Sequence, residues 1–142
     1  MAKQEKEIPG ILVVTHGDCG KEIIKSAEMI IGTQKHVKAL SLLPGIDPEE
    51  FLTEVQKGLE GMADGSLVMS DLFGGTPSNI SAALVGYMNI AAVTGINLAM
   101  FIEAIVLRCN MAGEELAEAV LKAGREGCKN VGQELKSLDN AI

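Results

Sequence analysis

The apolar run Ile11-Leu12-Val13-Val14, followed by Thr15-His16-Gly17, constrains this chain more than any other stretch. A strand with one wet face alternates apolar and polar residues. An unbroken Val/Ile/Leu run instead fits a parallel strand covered on both faces. A histidine at the carboxyl end of such a strand, with glycine directly after it, points out of the sheet edge rather than into the core. In open α/β folds that edge is where ligands and chemistry sit. A second run, Ser66-Leu67-Val68-Met69-Ser70, ends in Asp71-Leu72-Phe73-Gly74-Gly75-Thr76-Pro77. Two strands thus bring a histidine and a carboxylate to one rim, and the second adds a glycine-rich approach to a helix.

The rest of the chain alternates strand and helix. Lys21 to Ile31 places Ile23, Ile24, Ala27, Ile30 and Ile31 on one helical face, with Gly32 as the stop. Val37 to Leu43 reads as a strand. Asp47-Pro48-Glu49-Glu50 opens a helix to about Glu60, with Phe51, Leu52, Val55 and Leu59 facing the sheet. Thr76 is placed to cap the next helix, Pro77 suits its first turn, and Ile80, Ala83, Leu84 and Tyr87 or Met88 form its apolar stripe. Ile90 to Thr94 is a fourth strand. Gly95-Ile96-Asn97 leads into a helix through Arg108, and a last helix spans about Glu114 to Ala123. Cys128 to Val131 has the character of a short strand. Alternating strands and helices imply a parallel sheet with helices on both faces. The flavodoxin-like order 2-1-3-4 then opens a crevice between the strands ending in His16 and Asp71.

A length of 142 residues fits one domain, with a core from about 10 to 132 and peripheral or flexible segments at 1–8 and 133–142. A net charge of −7 argues against nucleic acid, which demands a basic surface. No apolar run reaches membrane-spanning length, and Met1 to Glu7 lacks the apolar core of a signal peptide, which points to the cytoplasm. Cys19, Cys109 and Cys128 form no CxxC pair and read as reduced thiols, with Cys19 packed as a small hydrophobe. Met29, Met69 and Met100 read as core filler, and His36 as a solvated loop residue. Two histidines without Cys/His spacing leave no zinc set, and no cofactor is indicated.

The site chemistry follows from residue type. An imidazole titrates near neutrality, so it serves as nucleophile, acid or base. A neighbouring carboxylate fixes which ring nitrogen carries the proton and frees the other to attack. Free N–H groups at Gly74-Gly75-Thr76, ahead of a helix, make an anion cradle. Together these suit a phosphoryl group carried on histidine. Each part taken alone has an ordinary use as well: Asp71 as a turn residue, Gly74-Gly75 as a tight turn, Asp18 as a helix cap.

At these residues the sequence resembles a known family. Val13-Val14-Thr15-His16-Gly17, Asp71 to Pro77 and Gly95-Ile96-Asn97-Leu98-Ala99-Met100 are similar to the enzyme IIA domain of the mannose-type sugar phosphotransferase system, over about Ile11 to Lys129. The resemblance implies that His16 accepts a phosphoryl group from the carrier protein HPr and passes it to a IIB component. Through IIB the chain would serve a membrane IIC/IID complex. It implies that Asp71 holds Nδ1, that Nε2 carries the phosphoryl group, and that Gly17, Gly74, Gly75 and Thr76 bind its oxygens. It also implies a homodimer exchanging a short C-terminal strand, and, since the sequence stops at Ile142, a IIA subunit separate from IIB. Two other readings stay open: a subunit feeding a dihydroxyacetone kinase, and a receiver-like module phosphorylated on Asp71.

Overall fold

The structure, a computed structural model, describes residues 7–141. Most of the amino-terminal segment that bears on targeting lies outside that range. Four strands, β1 (Ile11–His16), β2 (Val37–Leu42), β3 (Ser66–Ser70) and β4 (Ile90–Val93), form one sheet in the order β2-β1-β3-β4. All three pairings are parallel, as crossover helices require. The helices are α1 (Cys19–Ile31), α2 (Pro48–Glu60), α3 (Thr76–Val85), α4 (Leu98–Leu107), α5 (Gly113–Glu126) and α6 (Val131–Ala141).

The apolar run of β1 explains the layering. Ile11 and Val13 point into one core with Leu67, Met69, Ala91 and Val93, under α1, α4 and α5. Leu12 and Val14 point the other way with Val68, under α2 and α3, against Phe51, Val55, Leu59, Ile80 and Leu84. All four β1 residues are fully buried. Each such side chain contributes about 1.5–3 kcal/mol relative to exposure, against ~1–2 kcal/mol for ordering its backbone. A central strand can therefore tolerate a polar end that is not buried, and His16 is that end.

Arg108 locks the opposite edge of the sheet. It follows α4 and is 5% exposed. Its guanidinium donates to the carbonyls of Lys35 (2.8 Å), His36 (3.3 Å) and Pro9 (3.4 Å), where β1 and β2 begin. His36 is exposed, with a left-handed φ of 57°. Its carbonyl also accepts from the Ile11 N–H at 2.9 Å, so the strained turn is held from two sides.

Several expectations change. Residues 128–130 form no strand in this chain. A strand needs an edge to pair with, whereas the Asn130 side chain accepts from the Gln133 N–H at 3.2 Å and starts α6 instead. Thr76 is the first residue of α3, not its cap, and Gly75 occupies the cap position without a side-chain bond. On that helix Ala83 faces solvent while Ile80 and Leu84 are buried, and Tyr87 lies exposed beyond its end. Ile30 (63% exposed) and Met29 (89%) stand outside the core, because the buried face of α1 runs through Ile23, Ile24, Ala27 and Ile31 and leaves them on the solvent side. Cys19 is exposed, since it opens α1 at the rim.

Replacing Arg108 with Met should leave three carbonyls without their charged donor. Urea unfolding should show a loss of about 2–3 kcal/mol. A loss below ~0.5 kcal/mol would mean that the clamp is idle.

Candidate functional site

Adjacency of β1 and β3 builds the centre of the site. Their register pairs Val14 with Ser70, where β3 ends, while β1 runs on to His16, paired with Leu42 of β2. There the Asp71 carboxylate takes the place of the next β3 carbonyl. Its Oδ2 accepts the His16 main-chain N–H at 2.9 Å and the His16 ring at Nδ1 at 2.8 Å. Its Oδ1 accepts the Leu72 N–H at 3.0 Å. Partial burial pushes the Asp71 carboxyl up. The main-chain and ring hydrogen bonds from His16, with the attraction of the ring, outweigh that and hold it below the usual carboxylate range. The Asp71 side chain is 17% exposed and the His16 side chain 48%, so the acid is sheltered and the ring is presented.

The glycine turn lies against the ring. A methyl group at Gly75 would meet His16 Cε1 at 2.8 Å and Nε2 at 3.3 Å. Only glycine lets this backbone approach the nitrogen that Asp71 leaves free. Gly74 has φ +88°, which a side chain strains by about 1–2 kcal/mol. Gly75 leads directly into α3, whose N-terminus has no side-chain cap. The first-turn N–H groups of Thr76 and Ser78 have no partner within the helix and carry the positive end of its dipole. Thr76 is half-buried beside them. A dianion bonded to Nε2 would meet these groups.

Gly17 plays a different part. It has φ +57°, and its N–H is already given to Leu42 O at 2.8 Å. It shapes the turn rather than offering a donor. Thr15, which sequence reading passed over, holds that turn: its buried hydroxyl accepts the Gly20 N–H at 2.9 Å and donates to Gly17 O at 3.1 Å. A methyl group at Gly20 would lie 2.7 Å from Val13, so α1 starts pressed onto β1. A small residue five positions after a buried threonine is the only signal the sequence offers for this. Asp18 occupies the cap position of α1, as expected, but its side chain makes no capping bond. It accepts the Ser41 hydroxyl at 2.7 Å, which with Lys21 holds its carboxyl below the usual range. On the far side, Asn97 does cap α4, accepting the Met100 N–H at 2.8 Å, and Ile96 N–H donates to Ser70 O at 3.1 Å. The three sequence motifs therefore meet at one edge. Among the described residues no cluster of three His, Cys, Asp or Glu side chains could hold a metal ion.

The family model described as PTS system fructose IIA component matches residues 10–121. The chain belongs to that family. It is 28% identical over 123 residues to the mannose-specific EIIAB component of Escherichia coli, covering 84% of this chain and 38% of that protein. It therefore spans well under half of that relative's length. The sorbose-specific EIIA component of Lacticaseibacillus casei is 28% identical over 127 residues, covering 88% of this chain and 92% of the relative. In the crystal structure of the phosphotransferase system component EIIA from Streptococcus agalactiae, 30% identity and a TM-score of 0.81 extend over 87% of this chain and 98% of that one. These matches agree with the parallel sheet described above.

Two outcomes follow for this IIA component. Gly75→Ala should fold but displace the His16 ring, seen as loss of the Nδ1–Asp71 hydrogen bond in ¹⁵N NMR of the imidazole. An undisturbed ring would refute the close approach. Because folding lowers the Asp71 pKa, its contribution to stability is complete above about pH 4, near the ordinary Asp value, and fades as pH falls through the lowered value. The stability difference between the wild type and Asp71→Asn should shrink over that acid range. A difference unchanged by pH would contradict it.

Proposed function

We propose that this chain is a phosphohistidine carrier of a sugar phosphotransferase system, taking a phosphoryl group from HPr on His16 and giving it to a IIB component that serves a membrane IIC/IID complex. The observation that carries this reading is the division of the ring. Nδ1 is committed to Asp71, while Nε2 lies over Gly75 next to uncapped N–H groups. In the transfer the Nε2 lone pair attacks the donor's phosphorus. The Nε2–P bond forms, the bond to the donor breaks, and its electron pair stays with the donor. The proton remains on Nδ1, where Asp71 stabilises the cationic ring. Gly74, Gly75 and Thr76 hold the phosphoryl oxygens. The second transfer is the same step with this chain as donor.

A receiver-like reading would make Asp71 the phosphoacceptor. Both of its oxygens are occupied by N–H donors, which disfavours that reading. Free, exposed thiols at Cys19, Cys109 and Cys128 suit a reducing cytoplasm.

We place two copies together in the working molecule. Among the described residues the outer edge of β4 is unpaired, and a groove of about 460 Å³ beside it is lined by Phe73, Val85, Val93 and Leu121 among others. Residues 125–140 are all exposed, and the apolar Val131, Leu135 and Leu138 recur along α6. Exchange of this C-terminal segment between copies would cover both surfaces. Truncation after Gly127 should convert a dimer to a monomer in light scattering, and a dimer that survives truncation would place the interface elsewhere.

With phosphorylated HPr, His16→Ala should take up no label while keeping its fold. Asp71→Asn should slow transfer by about 10²-fold or more. Undiminished labelling of His16→Ala would move the acceptor to another residue.

A further inference from the structure

The third sequence motif, Gly95-Ile96-Asn97-Leu98-Ala99-Met100, lies outside the ring and its cradle, but it reaches the strand that delivers Asp71. Pairing of β3 with β4 stops at Met69 and Val93, one residue short of the end of β3 at Ser70. The loop supplies what the ladder lacks there: the Ile96 N–H donates to Ser70 O at 3.1 Å. On its other side Ser70 pairs with Val14 of β1. Ser70 is buried, and Asp71 follows it directly, with Cα atoms about 3.8 Å apart. The point from which the Asp71 carboxylate reaches His16 is thus held from the β4 side by a loop N–H.

We infer that Asn97 is a positioning residue for phosphoryl transfer: by tying the loop that carries Ile96 to both α4 and α5, it fixes Ser70 and, through it, the Asp71 carboxylate that orients the His16 ring. The inference rests on the phosphocarrier reading. Three observations carry it. Both ends of the Asn97 amide are used. Oδ1 accepts the Met100 N–H at 2.8 Å, and Nδ2 donates to Gly124 O at 3.1 Å. A helix cap needs only the oxygen, so the second bond fastens the loop to a second helix. That anchor is firm. A methyl group on Gly124 would meet Met100 Cβ at 3.1 Å, and one on Gly127 would meet Ala99 Cβ at 2.7 Å, so the end of α5 is pressed onto the first turn of α4. Met100, Leu116 and Val120 are buried in the core beneath. Finally, Gly95 has φ +80°, which lets the chain turn back toward Ser70 and leaves the loop to be held by its neighbours. A shift of about 1 Å at a reacting group costs on the order of 10²-fold in rate, so a brace two residues from Asp71's own strand has leverage.

The test separates the tie from the cap. Asn97→Ser and Asn97→Asp each keep an oxygen to cap α4 and lose the amide donor to Gly124. In both folded variants the Ile96 N–H should exchange with solvent about 10-fold faster or more, and the Nδ1–H form of the His16 ring should lose population in ¹⁵N NMR. His16 labelling by phosphoramidate, a small donor needing no docking, should slow about 5-fold or more. With phosphorylated HPr the loss should fall on kcat, with KM within about 2-fold of wild type. A wild-type tautomer and labelling rate in both variants would overturn the inference, reduce Asn97 to a helix cap, and leave the carrier reading intact. A loss seen only in Asn97→Asp would also overturn it, by tracing the effect to the added charge. So would a raised KM with unchanged kcat, which would place the loop in docking. No label on wild-type His16 from either donor would overturn the carrier reading and this inference with it.

Discussion

The hydrogen bond between His16 and Asp71 is the contact on which the proposed function turns. It joins the ends of two neighbouring parallel strands, so its length is set by strand spacing rather than by flexible loops. One carboxylate oxygen holds both the backbone and the ring of the same residue, which removes two freedoms at once: where β1 ends and which way the imidazole faces. A mobile histidine would lose much of its advantage as a carrier, since proximity and orientation account for a large share of transfer rates. Everything else at the rim is arranged around that fixed ring. Gly75 approaches it, α3 points its uncapped start toward it, and Thr15 braces the turn that follows it.

The two edges of the sheet show opposite economies. At the edge where the strands start, Arg108 is buried and satisfies carbonyls, which serves rigidity. At the carboxyl edge the His16 ring is half-exposed, and the first N–H groups of α3 are left without a side-chain cap. Local rules of stability are relaxed on the side of the proposed phosphoryl site and kept where the strands start. The same asymmetry extends to the surface. Leu72 and Phe73, 55% and 86% exposed, stand on the glycine turn beside the ring, where a protein partner rather than solvent would cover them.

Much of this was legible in the sequence, and for a definite reason. Continuous apolar runs report burial on both faces, so the strands, their parallel pairing and the rim carrying His16 and Asp71 follow from pattern alone. Periodicity also found the buried face of α2. It says which way a residue points, not whether a neighbour is there to cover it, so Ile30 and Met29 were placed inside when α1 leaves them exposed. The cap of α3 was misplaced at Thr76, and Asp18 stands at the cap of α1 without a capping bond, because tertiary partners decide: Gly75 is needed under the ring, and Ser41 on β2 captures the Asp18 side chain. Arg108 gave no signal, since a cation that binds main-chain carbonyls leaves no complementary residue to recognise. The C-terminal segment was read as a strand although its local signal, Asn130 at a helix start, favours a helix.

The central claim is that Asp71 presets the ring so that Nε2 alone carries the phosphoryl group. Two-dimensional ¹H–¹⁵N correlation of the His16 imidazole, before and after phosphorylation by HPr, tests it most directly. The account predicts an Nδ1–H tautomer in the free protein and phosphorus coupling at Nε2 after transfer, with Nδ1 still protonated. A phosphoryl group found on Nδ1 would require the bond to Asp71 to break during transfer, and would contradict the account.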